Sequence, residues 1–435
     1  MQNRVFVVSA HKQPLMPCHP ARARKLLANG KAAVFRRFPF TIILTQRDQG
    51  ETQPMQARFD PGSSTTGIAL TLQGQTQTTV IWAAELKHRG ARIKKLLEQR
   101  RAIRRSRRHR KTRYRKPRFS NRTRPKGWLP PGLQSRVDNL EIWADKLRRF
   151  SPVSSFSMEL VRFDMQKLMN PEISGVEYQQ GELLGYEVRE YLLEKFNRTC
   201  VYCEAQNVPL QVEHLVPRSR GGSNRVSNLA IACGPCNQRK GTQTASEFGF
   251  PDLEVQARRG LKDAAAVNST RLAVLKMLQQ TGLPVETGTG GQTKYNRSKQ
   301  GYPKSHWLDA ACVGESGLGV MAIPDMQVLQ ITAMGRGSRQ MCRVNKYGFP
   351  RTSAKSQKRV KGFQTGDMVK AQVASGKKKG RYEGRVAVRS SGSFNIKTKE
   401  GTVQGIGHKH CVMVHRQDGY TYSIGVSSPT QSASL

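Results

Sequence analysis

Apolar residues in this chain come in short bursts separated by polar turns, never in long runs. Residues 1–54 alternate compact β-forming stretches ("VFVV", "AAVFRRF", "TIIL") with one helical segment, "HPARARKLLANG", which has Pro20 near its start and Gly30 as its stop. This pattern predicts a small α/β module. "MQARFDPGSSTTGIALTLQG" follows as two strand-like runs joined by a turn rich in Gly and Ser, and Asp60 ends the first run at the hairpin edge. Beyond the Pro-rich "RPKGWLPPG", an amphipathic helix is predicted around Val137 to Phe150, then a strand, "SSFSMELVRF", that carries Glu159. "LLGYEVREYLLEKF" and "DLEVQARRGLKDAAAVNSTRLAVLKMLQQTG" read as helical, and Gly288 to Lys304 as a loop. "SHWLDAACVG" places His306 and Asp309 three apart on one helix face. From about residue 325 the chain becomes short β segments with Gly turns and frequent Lys or Arg. The prediction there is a small, basic, SH3-like β barrel.

Charge changes the picture. Lys and Arg number 73 against 30 Asp and Glu, a formal net charge of +43 over 435 residues. That excess would repel itself in an isolated globule, so a polyanionic partner is expected. Eighteen of the basic residues, against the single acid Glu98, lie between Arg89 and Arg124. No Gly or Pro interrupts residues 91–116, and Arg is a good helix former, so one helix of about 39 Å, ended by Pro117, is predicted. A charge run is often only a solvated face or tail. This one is internal, nearly single-signed and partly apolar on one side (Ile93, Leu96, Leu97, Ile103), which favours nucleic-acid contact through Arg100, Arg101, Arg104, Arg105, Arg107, Arg108, Arg110, Arg113 and Arg115. The longest apolar runs are far shorter than the roughly 18 to 20 residues of a membrane span, and no signal-peptide pattern opens the chain, so a soluble intracellular protein with no membrane partner is expected.

Of eight cysteines, four form two Cys-x-x-Cys pairs, Cys200/Cys203 and Cys233/Cys236, and Cys18, Cys312, Cys342 and Cys411 are scattered. Four thiolates complete a tetrahedral set, so a zinc ion there would be structural and not the catalyst. The 29 residues between the pairs are too many for a bare knuckle and include "VEHLVPRSRGGSNRVSNLAI", read as strand, turn, strand, with Asn237 opening a helix just after Cys236. Taken singly, Glu213, His214, Asn228 and Asn237 suit ordinary surface, turn and cap positions. Their joint spacing inside a four-cysteine frame resembles the HNH (ββα-metal) nucleases. That resemblance implies His214 as the general base that activates water, Glu213 and Asn237 as ligands of one Mg²⁺ (or Mn²⁺), and Asn228 as the residue that orients the histidine. Glu213 stands where many relatives have Asp.

Asp60, Glu159, His306 and Asp309 form a second constellation. "FDPGSSTTGIA", "SMELVRF" and "HWLDAA" resemble, in order, the three segments of a RuvC-type nuclease of ribonuclease H-like fold, whose carboxylates gather two divalent metals for in-line hydrolysis. Hairpins of the Asp-x-Gly-Ser/Thr type also bind ATP phosphates in actin-like proteins, but an ATPase needs neither an HNH insert nor an arginine helix. Together with "KQPLMPCHPARARKLL" and "GRGSRQMCRVNKYGFPR", this order resembles the IscB family, transposon-encoded RNA-guided nucleases related to the CRISPR type II effectors. The implied architecture is α/β and multidomain: a PLMP domain (1–54), a RuvC core split into segments 55–86, 126–194 and 249–324, an arginine-rich bridge helix (87–125), a zinc-stabilised HNH insert (195–248) and a basic β domain (325–435). The resemblance also implies a guide RNA, a double-stranded DNA target with an adjacent motif, one protein chain per ribonucleoprotein, and a prokaryotic cytoplasmic setting. A protein-only homing or junction-resolving nuclease, and a catalytically silent RNA-binding protein, stay open as alternatives.

Overall fold

A computed structural model of the chain describes residues 3–74, 76–110, 128–160, 189, 192–193, 195–206, 208–258, 262–322, 326–335, 342, 344–347, 349–353 and 356–425. The N-terminal module forms as expected. Strands β1 (Val5–Val8), β2 (Pro14–Cys18), β3 (Ala32–Arg36) and β4 (Thr41–Leu44) make a four-stranded sheet in the order β2-β1-β4-β3, with helix α1 (Pro20–Ala28) in the β2–β3 connection. Val5, Val7, Leu15, Ala23 and Ile42 fill its small core.

The next hairpins build the central sheet. β5 (Met55–Pro61), β6 (Thr65–Gln73) and β7 (Thr78–Lys87) run antiparallel to one another. After helices α2 (Gly90–His109) and α3 (Pro131–Phe150), β8 (Val153–Glu159) joins β5 in parallel. The chain then forms a separate module: β9 (Leu210–His214) and β10 (Leu229–Cys233) pair antiparallel, and helix α4 (Gly234–Lys240) follows. Its core, including Leu192, Tyr202, Leu215, Ile231 and Ala245, is its own. Helices α5 (Asp252–Arg258) and α6 (Lys262–Gln279) lead back to β11 (Val285–Gly288), which pairs in parallel with β8. The resulting order, β11-β8-β5-β6-β7, is the one expected of a ribonuclease H-like core.

Both faces of this sheet are covered, which explains why its strands read as nearly continuous apolar runs. Trp143, Leu147 and Phe150 of α3 and Val274 and Leu278 of α6 pack with Phe59, Leu70 and Phe156 of the strands. A second cluster joins Trp307, Leu308, Ala310 and Ala311 to Ala69, Val80 and Ala83. The first four of these belong to a short helix, α8 (His306–Ala311), that follows helix α7 (Gly290–Lys299).

Two expectations are corrected. Residues 290–299 form α7 where a loop was expected, because the buried face of that helix is polar: Thr289 caps it, and the buried Asn296 Nδ2 donates to the carbonyls of Cys312 and Gly314. The C-terminal region does not start a separate domain at residue 325. Strand β12 (Val328–Ala333) lies parallel to β7, so it extends the central sheet. The tail begins with a small hairpin, β13 (Arg359–Val360) and β14 (Phe363–Gln364). β15 (Met368–Val373), β16 (Gly380–Ala387), β17 (Ser393–Lys397), β18 (Thr402–Gly407) and β19 (Cys411–His415) then form an antiparallel sheet of their own. Its core holds Val369, Phe394 and Ile396. Finally β20 (Tyr420–Gly425) returns to pair with β12 and completes a seven-stranded central sheet. The arginine helix is described only over Gly90–His109, so its expected extension to residue 116 lies outside the described residues. Most of "LLGYEVREYLLEKF" lies outside them as well.

The return of β20 is anchored by a buried ion pair. Lys146 Nζ on α3 reaches Asp418 Oδ2 at 3.0 Å and the Tyr422 hydroxyl at 3.1 Å, and lies 4.4 Å from the Trp143 ring centroid. Burial would raise the Asp418 carboxyl, but His415, Lys146 and Tyr422 hold it well below the usual carboxylate range.

Helix α8 approaches the sheet backbone to backbone. A Cβ at Gly67 on β6 would stand 1.7 Å from the His306 carbonyl oxygen, so any side chain there must push the helix away. Gly67→Ala is therefore expected to destabilise the fold by about 1 to 3 kcal/mol, the usual cost of overpacking, and to lower the melting temperature measured in metal-free buffer. An unchanged melting temperature would mean that α8 is not seated on β6.

Candidate functional site

Sheet register gathers the carboxylates of the second constellation. Asp60 pairs with Gly67, Gly67 with Glu85, and Glu85 with Gln330, so these four residues form one cross-strand row whose side chains leave the same face. Phe59 pairs with Met158, which brings Glu159 level with Asp60 on the next strand, and Glu159 pairs in turn with Gly288. Asp60 and Glu159 thus stand near the C-terminal ends of two parallel strands, the usual location of sites in such sheets. Because Gly67 contributes no side chain, the start of α8 fits between Asp60 and Glu85.

His306 Nδ1 lies 3.8 Å from Asp60 Oδ2. Burial alone would depress this imidazole, but Asp60, with further help from Glu85 and Asp309, raises it on balance. Asp309, one turn further along α8, faces Arg297 Nε at 2.7 Å in an ion pair whose N–H direction is not that of a hydrogen bond. Burial and the negative charge of Asp60 push the Asp309 carboxyl up to about 6, outweighing Arg297, Lys304 and His306. Two carboxylates that repel each other in a half-dry cleft suit a divalent cation.

Arg58 supports the loop beyond α8. This fully buried guanidinium donates to Thr71 Oγ1, to the carbonyls of Val313 and Ser316 and to Ser316 Oγ, so each of its nitrogens has a partner. Burial lowers it to about 10 despite the nearby Glu286. Sequence reading missed Gly67, Arg58 and Glu85. Each acts only through cross-strand register or tertiary contact, and a linear pattern carries no signal for that.

In the inserted module the four cysteine sulfurs lie within 4.8 Å of one another, and Cys203 Sγ is 3.7 Å from Cys233 Sγ. Tetrahedral Zn–S bonds of about 2.3 Å would set sulfurs roughly 3.8 Å apart, so the cluster fits zinc. Burial would raise the Cys200 thiol, yet backbone N–H donors of Cys233, Cys203 and Tyr202, with the Cys203 thiol, bring it down to about 7. Arg239 Nη2 donates to Cys236 Sγ at 3.1 Å.

His214 ends β9 opposite Leu229, at the other end of the strand pair from Cys233. Its Nε2 is 2.9 Å from Asn224 Oδ1, and its carbonyl accepts from Lys240 Nζ at 2.8 Å. Asn228, expected to orient the ring, makes no hydrogen bond to it among the described residues. Its Oδ1 accepts from the Val216 N–H and its Nδ2 donates to the carbonyls of Val216 and Ser223, so it clamps the intervening loop. Glu213 is also placed differently from an open metal ligand. Its side chain is 6 % exposed and pairs at 2.6 Å with Lys240, which is 0 % exposed, since a buried ammonium requires a counter-charge. Asn237 Nδ2 donates to Gln211 Oε1 at 3.0 Å on the same side of β9.

Helix α2 buries no residue. Among the described residues Arg100, Arg101, Arg104, Arg105, Arg107 and Arg108 enter no ion pair, whereas Lys94 faces Glu98 at 4.0 Å. Arg110 donates to the Tyr347 carbonyl and stacks over Phe349 at 4.1 Å. Leu96, Leu97 and Ile103, expected to form an apolar side, are exposed. Arg113 and Arg115 lie outside the described residues. Among the described residues no helix is long and apolar enough to cross a membrane.

Residues 200–253 match the HNH endonuclease family and residues 5–181 match the family described as RRXRR protein, a pattern the chain spells as Arg104-Arg105-Ser106-Arg107-Arg108. The chain thus carries an HNH endonuclease domain and is a DNA endonuclease. No curated protein matches it. Among solved structures it is similar to Thermus thermophilus RuvC in complex with Holliday junction substrate, at 12% identity over 61% of this chain and 89% of that one, with a TM-score of 0.21. It is also similar to the Type II-C Cas9 enzyme from Actinomyces naeslundii (19% identity, 40% of this chain and 25% of that one, TM-score 0.16). For Streptococcus thermophilus Cas9 in complex with the AGAA PAM the identity is 12%, over 60% and 32% of the two chains, with a TM-score of 0.21. The strand order and the carboxylate row are features of this chain's own sheet.

If the four sulfurs hold zinc, its removal costs the inserted module its folding free energy. Metal analysis is expected to find zinc in the wild-type protein and less in Cys236→Ser, with limited proteolysis between residues 195 and 248 as the accompanying sign. A zinc-free wild type that still resisted proteolysis would contradict the assignment.

Proposed function

We propose that this endonuclease is RNA-guided, of the IscB type, and cuts both strands of a DNA target. The observation that carries the reading is helix α2: a row of exposed arginines with no acidic partner among the described residues, on the same chain as two separate nucleolytic constellations. Such a surface grips phosphates without reading bases, as a guide RNA and its heteroduplex require. A bound RNA also accounts for the +43 net charge. The five-stranded basic sheet at the C-terminus, expected to be SH3-like, is the part assigned to the target-adjacent motif.

In this reading His214 takes a proton from the attacking water at the guide-paired strand, and Asn228 holds the loop beside it. A divalent cation, Mg²⁺ or Mn²⁺, would be held by Asn237 and by Glu213, whose carboxylate Lys240 already shares. At the RuvC-type centre Asp60, Glu159 and Asp309 would hold the metal ions, with His306 beside them, for cleavage of the displaced strand. The metal's chemistry is to activate water and to stabilise charge on the phosphate. The residues themselves position the cation and exclude bulk water.

Sequencing the RNA that copurifies with the protein separates this reading from a protein-only nuclease. A defined, repeatedly recovered RNA that programs cleavage is expected, and RNA-free protein cutting one fixed sequence would overturn the reading. With that complex, His214→Ala is expected to abolish only the cut in the guide-paired strand, and Asp60→Ala only the cut in the displaced strand, on strand-resolved gels. Loss of both cuts in either variant, with RNA binding intact, would mean the centres are wrongly divided.

The arginine helix makes a separate prediction. Replacing Arg104, Arg105, Arg107 and Arg108 with Gln leaves up to four phosphates without a cation. RNA affinity should fall, and the slope of log affinity against log salt should shrink by about 0.7 to 0.9 for each phosphate that the protein no longer neutralises. Both cuts should weaken together. Wild-type slope and rates would make the helix a solvated face only.

A further inference from the structure

We infer that Asn224 is the residue that holds His214 in its base-competent form, a positioning role distinct from that of Asn228. The inference rests on the reading of His214 as the general base. Asn224 Oδ1 lies 2.9 Å from His214 Nε2. An amide oxygen only accepts, so this contact fixes the ring hydrogen on Nε2 and leaves the Nδ1 lone pair free to take a proton from water. Orientation and tautomer are set by the same bond.

The loop is built to deliver that amide. After β9 the chain turns tightly, with Gly221 at a φ of +80°. Gly222 lies where a Cβ would stand 1.8 Å from the Val216 carbonyl oxygen, so the two sides of the loop touch through backbone alone. Asn228 then spans it, binding both the N–H and the carbonyl of Val216. Its remaining amide hydrogen goes to the carbonyl of Ser223, the residue immediately before Asn224. The order of contacts is therefore Asn228 to Ser223, Asn224 to His214. On the other side of the histidine, Lys240 holds its carbonyl, so both backbone and ring are fixed. Arg220 pairs with Glu247 at 2.6 Å and ties the start of the same loop to the chain beyond α4.

The test uses the full-length protein with its copurifying RNA, and follows the strand that His214→Ala protects. Asn224→Ala is expected to lower kcat for that cut by about 10- to 100-fold, the usual effect of losing a partner that orients a working side chain, with KM for DNA and the other cut unchanged. Asn224→Asp, which can still accept from Nε2–H, should recover most of the rate. Zinc content should be normal in both variants.

An Asn224→Ala protein that cuts at the wild-type rate would overturn the inference while leaving His214 as the base. Asn224→Asp as slow as Asn224→Ala would overturn it too, since the acceptor would then not be the feature that matters. Loss of zinc in both variants would replace the positioning role by a structural one. If His214→Ala itself protects neither strand, the reading of the base fails first, and this inference with it.

Discussion

The carboxylate centre depends on one close approach, that of α8 to β6 at Gly67. The carbonyl of His306 occupies the space a side chain would need, and this lets a helix start directly over the row that runs from Asp60 to Glu85. Strand register sets the spacing of that row: Asp60 and Glu85 are two strands apart, roughly 10 Å, and His306 enters between them. Arg58 keeps the contact from loosening. It stands two residues before Asp60 on β5, hence on the same face, and its bonds to Val313 and Ser316 secure the chain just after α8. A fully buried guanidinium is tolerable because each of its nitrogens has a partner.

The inserted module follows a different principle. β8 and β11 are parallel neighbours in the sheet, so the chain that leaves at Glu159 must cross back to enter β11 at Val285, and helix α6, packed on the sheet, makes that crossing. The module inserted ahead of that helix need not fit the sheet; it needs a core and a constraint of its own. Tyr202, Phe248 and Phe250 pack ring against ring, and the four cysteines draw the module together around a potential metal. Within so small a unit the Glu213–Lys240 pair serves as a polar strut, with Lys240 bonded also to the His214 carbonyl. The carboxylate nearest the histidine therefore already has structural work, and a cation there would share it with an ammonium.

What the sequence made legible was local chemistry. Cysteine spacing, the Glu-His step, the arginine run and the Asp-Pro-Gly-Ser hairpin are each short and rich in special residues, and each can be placed on an element by periodicity. What it concealed was register and return. Nothing in "VLQITA" or "YTYSIG" says that these two strands pair with each other and extend the central sheet, because both read as ordinary half-buried strands. The helix over residues 290–299 escaped notice for a related reason: an amphipathic pattern assumes an apolar buried face, and here Thr293 and Asn296 are the buried residues. The motif pointed to Asn228 as the partner of the histidine ring, whereas Asn224 is the residue in contact with it. Four residues of separation beyond a glycine turn do not reveal which amide meets the ring and which meets the backbone.

These constraints also bear on how the two centres relate. The sheet centre is assembled from β5, β8 and α8, segments spread from Met55 to Ala311, so it exists only when the whole core has folded. The histidine centre is assembled from β9, one loop and α4, within a unit that has its own core and cysteine cluster. Damage to one therefore has no obvious physical route to the other. The exposed arginines of α2 belong to neither. They leave the sheet from β7, where Arg89 donates to the Met334 carbonyl just beyond β12, so the helix is rooted in the core at its start and solvent-exposed along its length. A polyanion laid on that helix would be held against the core, and would neutralise the charge that the protein alone cannot.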